Sequence, residues 1–135
     1  MKINLKKFIP TVIVVFIVAN ILGFFIHGIL LKADYLPIAG YYRPRGEEKV
    51  LFASLAYLAF AIGSVWVYAM GVEDKNWIGQ GIRFGIAIWL VLAVPSFLIA
   101  YAVQPVPGML AAKQVLFEGV DKVVLGILTA ALYRR

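Results

Sequence analysis

The chain has no cysteine, a single histidine and only seven acidic residues among 135. Without thiols it forms no disulfide, no thiolate metal site and no cysteine nucleophile. It also contains no Walker loop, no HExxH pair, no GxSxG elbow and no carboxylate pair with its own histidine base. Hydrolase and phosphoryl-transfer chemistry therefore have no residues to stand on, and the expectation is a protein that is not an enzyme, with no catalytic and no metal-ligating residues. The absent cysteines leave the redox compartment open.

Long hydrophobic runs are what the chain does have. Hydrophobic residues make up 63% of it, against roughly 45–50% in soluble domains. Phe8 to Leu31 carries no charge over 24 residues, Val50 to Val72 none over 23, and Phe84 to Val103 none over 20. A hydrocarbon layer about 30 Å thick takes roughly 20 helical residues to cross. Lipid offers no partner to backbone amides, so a spanning segment is a helix or part of a closed barrel, and uncharged runs this long lack the alternation of barrel strands. A fourth stretch, Val106 to Tyr133, ends in an apolar half stopped by Arg134 and Arg135. The sequence predicts an all-α fold: an integral-membrane, four-helix up-down bundle forming one transmembrane domain over 1–135, with helices at about 8–31, 48–72, 77–103 and 108–133.

Lys2, Lys6 and Lys7 ahead of the first run resemble a secretory signal. The run exceeds the 7–15 residues of a signal core, however, and no Ala-x-Ala-like site follows. It reads as a retained first helix. Four crossings put both termini on one side. With those termini cytoplasmic, Lys2, Lys6, Lys7, Lys75, Arg83, Arg134 and Arg135 face inside, against Lys32, Arg43, Arg45, Lys49 and Lys113 outside, the direction set by the positive-inside rule. Basic residues divided between two faces form no nucleic-acid footprint, and suit membrane lipids as partners. Lys32 to Lys49 is a long, tyrosine-rich connection, Glu73 to Trp77 a short acidic one, and Gln104 to Gly108, with Pro105 and Pro107, a tight hairpin.

Lys113, Glu118, Asp121 and Lys122 break the rule that this chain keeps charge out of its long stretches. Counting 1.5 Å per residue from the hairpin places Glu118 level with Val94 and Pro95, and with Asn20 at the middle of the first run. On a helical wheel Gln114, Glu118, Asp121, Lys122, Leu125 and Thr129 share roughly a 100° sector, with Leu116, Val120, Val123, Ile127 and Ala130 opposite. Charges at membrane depth cost roughly 2.5–3.5 kcal/mol each on insertion scales, so this stripe should face protein, water or a partner. Glu118 and Lys122 stand i, i+4 in the favourable order. Three readings stay open: a helix that begins late near Gln114, a structural polar network, or a proton- or ion-handling pathway using Asn20, Gln114, Glu118, Asp121 and Lys122.

His27 is the one weak candidate for cofactor binding, through haem or chlorophyll ligation, with an interfacial or hydrogen-bonded role favoured. Gly81 and Gly85 form a GxxxG pair, Ala59 and Gly63 a second small-residue pair, and Gly119 and Gly126 a third strip. Such residues let helices approach closely in lipid, within a chain or between chains.

The order His27-Gly28-Ile29-Leu30-Leu31-Lys32-Ala33-Asp34-Tyr35, then Trp77-Ile78-Gly79-Gln80-Gly81, then Val94-Pro95-Ser96 and Gln104-Pro105-Val106-Pro107-Gly108 resembles a family of uncharacterised bacterial four-transmembrane-helix proteins, a domain of unknown function. The resemblance implies a fold and a domain of unknown function, and carries across no site residue; the bacterial inner membrane is the expected location. Two function classes follow: an accessory or assembly subunit docked by helix contacts onto a larger membrane protein complex, or a homo-oligomeric channel or transporter for ions, protons or small solutes.

Overall fold

The computed structural model describes residues 3–134, and among them every regular element is helical. Four long helices follow one another: α1, Leu5–Leu30; α2, Val50–Gly71; α3, Trp77–Val103; and α4, Gly108–Tyr133. The first three are long and apolar enough to cross a membrane. α4 is of matching length at 26 residues, and differs in carrying four charged side chains along its first half and middle. It runs unbroken from Gly108, which removes the reading of a late start near Gln114. Lys2 and Arg135, used above in the charge count, lie outside the described residues.

Local chemistry sets the helix ends. Asn4 caps α1 by accepting from the Lys6 amide at 3.1 Å, so the helix starts ahead of the uncharged run. Asn76 accepts from the Ile78 and Gly79 amides at 2.9 and 3.2 Å and starts α3 in the same way; each cap satisfies a donor that the first turn leaves orphaned. Between α2 and α3, the Gln80 amide group donates to the carbonyls of Glu73 and Lys75 and accepts from the Glu73 amide, stitching the short connection to α3. Lys75 pairs with Glu73 there at 2.5 Å and holds its carboxyl below the ordinary value.

Two helices widen locally. α1 ends in a π-helical stretch, Phe24–Leu30, and α3 contains a second, Trp89–Ala93. The second lies just before Pro95, whose ring lacks an N–H and clashes with the preceding turn of a regular helix. The Ser96 hydroxyl donates to the Leu92 carbonyl at 2.6 Å, reusing an acceptor next to that break. Beyond α1, a single turn at Lys32–Tyr35 and a 3₁₀ segment at Leu36–Tyr41 fold back toward α4.

The most extensive packing is between α3 and α4, followed by α1 against α2 and α1 against α4. A core of Val12, Val15, Ala19, Ala61, Val65, Tyr68 and Leu125 joins α1, α2 and α4. A smaller one, Ile26, Leu31, Ile38 and Leu110, lies beneath the long connection. Termini meet at the other end: the Asn4 amide donates to the Tyr133 hydroxyl at 3.1 Å and Lys7 donates to the Arg134 carbonyl at 2.7 Å.

Polarity is arranged inside-out. Ile9, Ile13, Ile17 and Ile21 form an exposed row along α1, while Glu118, Asp121 and Lys122 are buried. Soluble monomers rarely leave apolar patches of such extent uncovered. In acyl chains the same surface is at home, so the exposed rows and the three spans together are consistent with an integral membrane protein.

Candidate polar site on the charged helix

The α4 stripe faces inward. Gln114, Glu118, Asp121, Lys122, Leu125 and Thr129 are all buried, whereas Leu116 and Val120 are exposed. Ala130 departs from the wheel: expected on the outer side, it is fully buried, because the glycine face of α3 comes down on it.

Glu118 is the hub of the site. Its Oε2 accepts from Lys122 Nζ at 2.5 Å, the i, i+4 pair that the spacing predicts, and Lys122 also donates to Asp121 Oδ2 at 2.5 Å. The other carboxyl oxygen of Glu118, Oε1, lies 2.8 Å from His27 Nε2 at the end of α1. His27 Nδ1 lies 2.8 Å from the Tyr35 hydroxyl, which in turn accepts from Gln114 Nε2 at 2.8 Å. One hydrogen-bonded line thus runs from Gln114 through Tyr35, His27, Glu118 and Lys122 to Asp121. Aromatic rings wall it: Phe97 stacks on the imidazole with centroids 6.1 Å apart, and Lys122 lies 5.2 Å from the Phe60 ring centre. Toward the long connection, Lys113 Nζ pairs with Asp34 Oδ1 at 2.7 Å, both side chains partly exposed. Burial raises the Tyr35 phenol above its ordinary value, with the Gln114 hydrogen bond opposing, so Tyr35 holds its proton.

Asp121 is the least satisfied member. Its Oδ1 is buried with no hydrogen-bond partner, a state it shares among the described residues with the Tyr68 hydroxyl. Buried polar atoms are overwhelmingly paired, and the exceptions call for an explanation.

Asn20 does not join this line. Its side chain donates to the Phe16 carbonyl of its own helix at 2.8 Å, so the position facing Glu118 on α1 is His27. Counting rise per residue treats the helices as parallel rods of equal depth; the widened end of α1 and the fold-back of Lys32–Tyr41 bring a later segment to α4 instead. For His27, both ring nitrogens are engaged within the chain, and axial ligation of haem or chlorophyll would have to break one of these contacts. Among the described residues no three His, Cys, Asp or Glu side chains converge as a metal-binding group.

The small residues divide sharply. A Cβ on Gly85 would run into the Lys122 carbonyl and Val123, one on Gly126 into the Gly81 carbonyl and Gly85, and one on Gly81 into Ile127 and the Gly126 carbonyl. α3 and α4 therefore touch backbone to backbone through Gly81, Gly85 and Gly126. Gly119 instead lies against the Trp89 indole, whose Nε1 donates to the Val115 carbonyl at 2.8 Å. Ala59 is exposed, and a Cβ on Gly63 meets nothing within 4 Å. Of the two settings left open for this pair, within the chain or between chains, Ala59 and Gly63 show no backbone-close helix contact of the kind made by Gly81, Gly85 and Gly126.

Sequence reasoning missed Tyr35, and read His27 as hydrogen-bonded without connecting it to Glu118. Asp34 was the available signal, since a carboxylate next to Tyr35 at the end of the first run matches Lys113 at the start of the fourth. Comparison of the chain with protein families, with curated proteins and with solved structures finds no match.

Proposed function

We propose that the chain is a four-helix bundle of the bacterial inner membrane, with both termini cytoplasmic, acting without enzymatic activity as an accessory or assembly subunit of a larger membrane protein complex. The observation that carries this reading is the Ala59–Gly63 strip of α2, where Ala59 is exposed and a methyl added at Gly63 would meet nothing within 4 Å. In lipid, smooth small-residue strips are where helices approach one another, driven by packing and not by dehydration. The occupant fitting it is a transmembrane helix of another subunit.

A homo-oligomeric channel lined by the α4 stripe is the competing reading. Such a pore needs the stripe to face a shared lumen, and here Glu118, Asp121 and Lys122 are covered by side chains of the same chain. Containment of the charges within one protomer favours the subunit reading. Its test is extraction in mild detergent followed by native mass spectrometry. We expect a stoichiometric complex with other membrane proteins, broken by replacing Ala59 and Gly63 with leucine while helical content is unchanged. Recovery as monomer alone would refute the assignment.

A further inference from the structure

The polar line on α4 has a charge imbalance that its geometry makes consequential. Two carboxylates, Glu118 and Asp121, face one ammonium, Lys122, and all three are buried. Among the described residues no other formal charge approaches them: from α1 the facing group is the His27 imidazole, from the turn beyond it the Tyr35 phenol, from α2 Tyr57 and Phe60, and from α3 Phe97. Lys113 is committed to Asp34. With a neutral imidazole the cluster keeps one uncompensated negative charge. An isolated buried charge is so costly that a group changes its protonation instead, and Asp121 Oδ1, buried and without a hydrogen-bond partner, shows where the excess charge is poorly met.

We propose that His27, Glu118, Asp121 and Lys122 form a binding site for a single exchangeable proton, loaded through Tyr35. The extra proton makes the buried cluster neutral. It resides on the imidazole or on one of the carboxyls, and the 2.8 Å contact between His27 Nε2 and Glu118 Oε1 is the place where it passes between them. The imidazole conducts by its two nitrogens: a proton arriving at Nδ1 from the Tyr35 side is matched by release of the Nε2 proton to Glu118, which leaves a neutral ring and a neutral carboxyl. Tyr35 is oriented for this role, because its oxygen accepts from Gln114 and its own hydrogen is free to point at Nδ1; as that hydrogen passes to the ring, the phenol oxygen takes a replacement proton from solvent hydronium, so the phenol ends the step neutral. Its neighbours Asp34 and Lys113 are partly exposed, which puts the entrance at the end of the bundle beneath the long connection. This inference rests on the membrane placement above and not on the subunit role.

The single histidine makes the proton count measurable. The full chain is reconstituted in lipid nanodiscs with ¹⁵N-labelled histidine; ring-nitrogen NMR reports the imidazole, and infrared spectroscopy reports protonated carboxyls. At neutral pH we expect one extra proton in all: an imidazolium with no protonated carboxyl inside the bundle, or a neutral ring with one. Glu118→Gln and Asp121→Asn should each remove it, leaving a neutral ring and no protonated carboxyl. Tyr35→Phe should keep the count at one while slowing exchange at Nδ1 by about a hundredfold, the low end of what a positioned proton donor contributes. A neutral ring together with two ionised carboxylates in the unaltered chain would overturn the site, whether or not the variants fold. Unchanged exchange in Tyr35→Phe would overturn the route. A chain that is soluble and monomeric without detergent would instead refute the membrane placement, a separate result.

Discussion

At the scale of single residues, the same chemistry has different weight in two places. Lys75 and Glu73 meet at 2.5 Å on the exposed connection, and Lys122 meets Glu118 at the same distance with both side chains buried. Exposed ion pairs contribute little, while removing one partner of a buried pair costs about 3–5 kcal/mol because the other charge is stranded. Lys122→Met should therefore lower stability by about 3–5 kcal/mol in a denaturant titration in mixed micelles, and Lys75→Gln should leave the midpoint unmoved. Lys75→Gln should still register in carboxyl NMR, raising the Glu73 pKa toward its ordinary value. The sign follows from linkage: a carboxyl depressed in the folded state adds stability only above its unfolded pKa, and that small contribution fades as pH falls through the folded one. The bond from Lys122 to Glu118 was legible from i, i+4 spacing alone. The contact of Glu118 with His27 was not, since the two residues stand 91 positions apart and no periodicity reports which helix ends become neighbours.

At the scale of elements, glycine has two opposite uses. Gly85 and Gly126 lie where α3 and α4 meet at backbone distance, and an added methyl has only main-chain atoms to displace. Gly85→Ala and Gly126→Ala should each cost about 1–3 kcal/mol by overpacking, read as lowered thermal unfolding temperature in detergent. Gly63→Ala should change it by no more than about 0.5 kcal/mol, because nothing lies within 4 Å. A large loss at Gly63 in the isolated chain would contradict the open space beside it. From the sequence, the GxxxG pair of α3 and the small pair of α2 look equivalent. Contact geometry separates them, and it depends on tilt and on the widened turns at Phe24–Leu30 and Trp89–Ala93. The apolar runs and the face of α4 that turns inward were legible, because both follow from composition and a fixed helical period.

At the scale of the whole molecule, the absence of native cysteine supplies clean chemistry for topology. Single introduced thiols at Lys6→Cys and Arg134→Cys should react with a membrane-impermeant maleimide only from the cytoplasmic side, and Arg45→Cys only from the opposite one. Labelling of Lys6→Cys and Arg134→Cys from different sides would contradict an even number of crossings. Hydrogen bonds joining Asn4 to Tyr133 and Lys7 to Arg134 already place the two chain ends together.

That meeting of first and last segments has a consequence for biogenesis. α4 is made after the other three helices and carries the charges that lipid accepts least readily, yet the imidazole that meets its Glu118 carboxylate and the phenol that meets its Gln114 amide belong to segments synthesised before it. Until it arrives, the inner side of α1, with Thr11 and Val15, has no permanent neighbour from that helix. We therefore expect burial of the charged segment and closure of the helices around it to be coupled, so that a chain truncated before α4 is recovered in lower yield than the full one.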